Sequence, residues 1–332
     1  MTDEQRLRTV SDAEQWFERN GLPYFVADNE RRVRQALGRG RLGPVAAVAV
    51  VLGIAAGIVV GVGSQDVSTG VLVGAVTLGV ILLLYALASL HLQPIVAWGA
   101  RRTFGSLGLL FPLVTRALPL LLLFITFLFI NTEVWQVSTA LDRGLLWLTV
   151  LLFAAVAVAF LLVRLPEEVR SVSSEASGDT LARLCEGTPV EDAAAELGDA
   201  ADDELTLSPL QRTNLVLVLL VSQALQVMLL AVSVFVFFIV FGKVAITDQV
   251  IQAWLGTEDA DGPIPSSLPS LDWLPISNEL FQVSVFLAAF SGLYFTVYAV
   301  TDSTYREQFF TAISTELERA VGVQAVYRTL TR

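Results

Sequence analysis

Polar side chains standing inside or at the ends of otherwise apolar stretches are the groups of this chain that could do chemistry: Asn131 and Glu133, Gln223 and Gln226, and Asn278, Glu279 and Gln282. Gln223 and Gln226 have a spacing that puts them on one face of a helix, and an amide left unpaired in hydrocarbon costs several kcal/mol. Both must therefore face protein or a wet cavity. Glu133 and Glu279, with their neighbouring amides, are expected at one membrane depth. If they share a bundle face they make a polar vestibule with two carboxylates, suited to a cation or a protonatable gate. The plainer alternative sets both carboxylates among lipid headgroups.

Catalysis has little to build on. Cys185 is the sole cysteine and His91 the sole histidine, so a disulfide framework, a Cys/His zinc site and a Cys–His pair are excluded within one chain. HExxH and GxSxG do not occur, GRGRLG lacks P-loop spacing, and no pair of intramembrane acids suits hydrolysis or group transfer. A lone histidine at the end of an apolar stretch reads as an interfacial hydrogen-bonding residue. The turn holding Glu258, Asp259 and Asp261 lacks the EF-hand pattern and reads as solvated. The expectation is a protein without enzyme activity, resident cofactor, metal or nucleic-acid partner.

The elements that must position these groups follow from composition. Of the 332 residues 54% are hydrophobic and 16% charged, a combination that points to an all-α, polytopic helical membrane protein with short amphipathic helices outside the bilayer. Hydrocarbon about 30 Å thick needs about 20 apolar residues per helix, which predicts spans over about 44–62, 69–90, 117–137, 144–163, 213–241 and 278–300. The third, ALPLLLLFITFLFINTEVWQV, reads as one continuous helix with a polar outer end. Between the second and third lies FGSLGLLFPLV, residues 104–114, either re-entrant or interfacial, or else the start of a third span near Leu107. Pro166, after Arg164, is expected to close the fourth span.

Ala49, Gly53, Gly57 and Gly61 recur every fourth residue along one stripe of the first span. With the glycines of the second span and the short SQDVS turn they predict a tight antiparallel hairpin, although the stripe would serve a second copy of the chain equally well. Ahead of it Arg31, Arg32, Arg34, Arg39 and Arg41 form an anchor for lipid headgroups, each charge contributing roughly 1 kcal/mol near an anionic surface.

The rest divides by charge. Residues 1–43 are Arg-rich, with helices expected over Asp12–Asn20, capped by Ser11 and Glu14, and about Asn29–Gly38. Residues 164–212 are an acidic loop with a short helix expected from Pro189 to Leu197, and they supply much of the net charge of −11. Residues 242–277 form the long outer connection, with an interfacial helix from Thr247 to Leu255. Residues 301–332 continue a stripe through Phe309, Ile313, Leu317 and Val321, an amphipathic helix that packs on the membrane or on the acidic loop. Of the 21 basic residues, only Arg143 and Lys243 fall on the side away from the termini. Both termini are thus expected in the cytoplasm, with the chain in the plasma membrane.

Two functions fit these residues. One is a passive or proton-coupled conduit for an ion or small solute, lined by Glu133, Glu279, Gln223 and Gln226. The other is a non-transporting scaffold or sensor that recruits partners through its cytoplasmic helices and acidic loop. The bilayer is a partner in both, and a homo-oligomer suits either.

Overall fold

The computed structural model describes residues 2–105, 122–176, 181–197, 206–256, 276–301 and 303–331. Its elements are helical: α1 (Asp3–Arg19), a 3₁₀ turn (Pro23–Phe25), α2 (Ala27–Ala36), α3 (Arg39–Ser64), α4 (Val67–Ser89), α5 (Leu92–Gly105), α6 (Leu122–Phe129), α7 (Thr132–Ala140), α8 (Arg143–Ala176), α9 (Leu181–Leu184), α10 (Glu191–Leu197), α11 (Pro209–Ala245), α12 (Asp248–Leu255), α13 (Asn278–Thr301) and α14 (Ser303–Thr331). Five helices (α3, α4, α8, α11 and α13) are long and apolar enough to cross a membrane, and a sixth crossing is possible if α6 and α7 count as one. The chain is therefore a multi-pass, all-α membrane protein.

The expected continuous helix over 117–137 is corrected. Residues 117–121 lie outside the described residues, and the rest breaks at Ile130–Asn131, where α6 and α7 meet at 73°. Asn131 is the reason: its side chain accepts the backbone N–H of Glu133 at 2.8 Å and so starts a new helix. Two further boundaries differ. α8 runs on through Pro166 to Ala176, because Leu165 and Val169, on either side of the proline, are both buried and that packing outweighs one lost backbone hydrogen bond. α1 begins at Asp3, and the capping box of its N-cap Thr2 with Gln5 lies well ahead of Ser11. The FGSLGLLFPLV stretch lies outside the described residues from 106 onward; just before it, α5 is a helix that no local signal announced.

α3 and α4 form the expected hairpin, and the glycine stripe is consumed inside the chain. A Cβ on Gly70 would lie 2.7 Å from the carbonyl oxygen of Gly57 and 2.8 Å from Cα of Gly61, and one on Gly53 2.9 Å from the Gly74 carbonyl. Asp66 caps α4, accepting from the backbone N–H groups of Ser68 and Thr69, and the hydroxyls of both residues hold its carboxyl below the usual range. α4 then packs on α8, leaving α3 at the rim with Val51, Ile58, Val59 and Val62 exposed.

α8, α11 and α13 make the centre, with α11 and α13 antiparallel: Gly242 faces Leu280, while Gly292 faces Val227 and Ala231. Two apolar cores sit at opposite ends. On the face that carries the termini, Phe17, Leu22 and Phe25 meet Leu165 and Val169 of α8, Leu184 and Cys185, Leu215 and Val218 of α11, and Leu317, Val321 and Val326 of α14. At the opposite face Phe129, Trp135, Leu230, Val234, Phe238, Ile251, Leu280 and Val283 form the second.

Gly70→Ala is expected to lower stability by about 1–3 kcal/mol, since its Cβ meets backbone that cannot move aside. Gly63→Ala, whose Cβ would meet nothing within 4 Å, should leave stability unchanged or slightly raised. Thermal unfolding of the purified protein in detergent distinguishes the two; equal effects would contradict this packing.

Candidate functional site

The candidate polar residues divide into three settings. Glu133 is exposed in the first turn of α7, and Asn131 is half-buried and occupied by its capping bond. The helix they start is held by Trp135, fully buried, whose indole N–H donates to the Phe129 carbonyl at 2.6 Å. Phe129 in turn stacks on Phe238 with ring centroids 4.6 Å apart, and Trp254 of α12 meets the edge of Trp135 at 5.5 Å. Ile251 is buried beside them, so α12 turns into the protein as part of a cap and does not lie simply on the bilayer surface as its sequence suggests.

Glu279 and Gln282 sit under that cap in the first turns of α13. Both are buried, and the Gln282 side-chain amide donates to the Leu141 carbonyl at 3.3 Å, at the junction of α7 and α8. Asn278 is half-buried at the helix start. The two carboxylates of the expected vestibule thus differ in setting, Glu133 facing out and Glu279 facing in.

Gln223 and Gln226 are elsewhere. Gly242 marks the level of Leu280, and at 1.5 Å per residue Gln226 lies roughly 24 Å down the axis of α11 from it. Gln223 is buried, and Gln226 is half-buried with an Oε1 that makes no hydrogen bond. The interval between the glutamines and Glu279 is occupied by Leu230, Val234 and Phe238 of α11 against Val283 and Leu287 of α13. Nothing polar bridges it along these two faces except Ser284, fully buried, and Ser291, whose hydroxyl returns to the Leu287 carbonyl. Among the described residues no group of three or more His, Cys, Asp or Glu side chains is placed to hold a metal.

The polar groups that tie distant parts of the chain together are ones that local sequence did not single out. Asn214, fully buried, accepts the Tyr24 N–H and donates to the Gly21 carbonyl, both at 2.9 Å, locking the turn after α1 onto α11. Gly21 is left-handed there, at φ +70°, with Trp98 against it. Arg102 of α5 pairs with Glu316 of α14 and lies over the Trp98 ring, 5.4 Å from its centroid. Tyr327 donates to Glu14 at 2.7 Å, and burial together with that carboxylate pushes its phenol up. Arg328 reaches Gln211 in the capping box of α11 at 3.0 Å. His91 is left-handed at φ +50° between α4 and α5, with an unpartnered Nδ1.

Of the basic anchor, Arg31 pairs with Asp28, and Arg34 with Glu30 at 3.0 Å. Arg32 and Arg41 are exposed and make no ion pair among the described residues, while the side chain of Arg39 lies outside them.

Asn214→Ala strands a buried N–H and a buried C=O, costing about 1–3 kcal/mol for each group left unsatisfied. The Tyr24 amide should exchange with solvent much faster in this variant, whereas Thr213→Ala, at an exposed hydroxyl one residue away, should leave it protected. Unchanged Tyr24 protection in Asn214→Ala would contradict the lock. In comparison with known proteins, no family model, no curated protein and no solved structure matches this chain.

Proposed function

We propose that this chain is a membrane-embedded scaffold or sensor, without catalysis of its own, whose cytoplasmic core recruits partners. One observation carries the reading: among the described residues, the helices on the face of the termini gather into one core with the projecting ends of two through-going helices, whereas the polar groups of the conduit reading are parted by an apolar interval. α8 has 34 residues and α11 has 37, well beyond the roughly 20 that hydrocarbon requires. Their surplus length carries α14 and the turn after α1, and α1, α9 and α10 pack on α14 in turn.

A proton or cation moving between Glu279 and Gln226 would cross the Phe238–Val283 layer with only the Ser284 hydroxyl for a partner on the described faces of α11 and α13, and bare charge in such surroundings is costly. A rigid helix pair joining two packed cores, by contrast, carries a displacement of one to the other. The cap of α7 and α12 is the input in this reading, and the core of α9, α10 and α14 is the surface presented to a partner. The acidic residues of the loop, including Glu191 and Asp192 at the exposed start of α10, favour a basic partner.

Two measurements test it. Potassium and proton flux into vesicles holding the full chain should equal that of empty vesicles; a flux abolished by Glu279→Gln would restore the conduit. Trp135→Ala, which loosens the cap, should raise hydrogen exchange several-fold in α9, α10 and the end of α14. A rise confined to α6, α7 and α12 would contradict coupling between the faces.

A further inference from the structure

We infer that the outward face of α2, together with Arg41 at the start of α3, is a docking surface for anionic phospholipid headgroups. α2 buries Asn29, Val33 and Ala36 against the protein and turns Arg31, Arg32 and Arg34 outward. Its depth is fixed by two contacts. The phenol of Tyr85, in the last turns of α4, donates to the Ala36 carbonyl at 2.7 Å, and the chain passes directly from Gly38 into the membrane-spanning part of α3. The C-terminal end of α2 is therefore level with the end of a crossing, and its arginines stand within a Debye length, roughly 8–10 Å, of the headgroups.

The charges on this face are unevenly neutralised. Asp28 and Glu30 answer Arg31 and Arg34, whereas Arg32 and Arg41 meet no such carboxylate among the described residues. The first turn of α3 holds no acid, and Gly38 offers no side-chain cap, so Arg41 faces the positive end of its own helix dipole. An anion at that level relieves the repulsion. A headgroup phosphate meets these requirements of depth and sign together. Glu30 also accepts from the hydroxyl of Ser208, the N-cap of α11, at 3.0 Å, so the surface is joined to one of the through-going helices. The inference stands on depth and charge alone and does not depend on what the cytoplasmic core recruits.

The test is lipid retention by the full chain, purified with equal amounts of phosphatidylglycerol and phosphatidylcholine and read by native mass spectrometry. Phosphatidylglycerol should be retained several-fold over phosphatidylcholine. At about fivefold per arginine near a charged surface, Arg32→Gln with Arg41→Gln should cut that preference by roughly tenfold or more. Arg32→Lys with Arg41→Lys keeps the charge and should retain most of it, which separates lost attraction from misfolding. Asp28→Asn releases Arg31 and should raise the preference a few-fold. Equal retention of the two lipids, or a preference that survives the double glutamine substitution, would overturn the inference. Loss of the preference in millimolar inorganic phosphate would assign the surface to a free anion, and a soluble acidic protein displacing the lipid would assign it to that partner; either result overturns the lipid assignment.

Discussion

Phe17 is fully buried with its ring centroid 5.3 Å from that of Phe25 and 5.8 Å edge-on from that of Tyr327, and this cluster holds the two ends of the chain together. Around it the Arg6 guanidinium donates to the Leu330 carbonyl, and Gly322 brings α14 against Leu184 and Cys185. Each large apolar side chain removed from water there contributes roughly 1.5–3 kcal/mol. Segments that would be loose tails beside a membrane become one folded layer. That layer needs a floor, which explains why α8 and α11 are longer than a crossing and why α8 tolerates a proline: Val169 is required beyond it.

Within the membrane the forces differ. Lipid tails are as apolar as leucine, so helices gain little by hiding hydrophobic surface from them and associate through close packing and internal hydrogen bonds. The α3–α4 hairpin meets the first condition with opposed glycines, and Ser222, Ser233, Ser291 and Thr296 satisfy their hydroxyls on their own helices, each donating to a carbonyl one turn back. The aromatic cap at the opposite face provides a third solution, with Trp135 paired to the Phe129 carbonyl across the break at Asn131. The break is thus held from both sides.

Much of this was legible in the residues and part was not. Apolar length located α3, α4, α8, α11 and α13, and the spacing of Gly53, Gly57 and Gly61 announced the hairpin, because these signals are local and periodic. The bend at Asn131 is hidden because a polar residue at the end of an apolar stretch reads equally well as the last turn of one helix, and the capping role of an asparagine depends on a helix direction that composition does not encode. Nothing near Asn214 in the sequence marks it out; its partners, Gly21 and Tyr24, lie nearly two hundred positions earlier in the chain. The residues of the expected vestibule are set apart for a related reason: hydropathy assigns them a depth but not a facing, and Glu133 is exposed, Glu279 is buried, and the glutamines of α11 belong to another level.

The dependence of the whole arrangement on the docking of α14 is open to a direct measurement at the only thiol. Cys185 is fully buried under Gly322, and burial, aided by Glu191, pushes its pKa up to about 12, so it is neither accessible nor ionised at pH 8. Maleimide should fail to label the folded wild-type chain at that pH. Gly322→Leu, whose Cβ would sit 2.6 Å from that of Leu184, should lift α14 and make the same thiol react at a rate approaching that of the denatured protein. Rapid labelling of the folded wild type, or protection that persists in Gly322→Leu, would contradict the core on which this account is built.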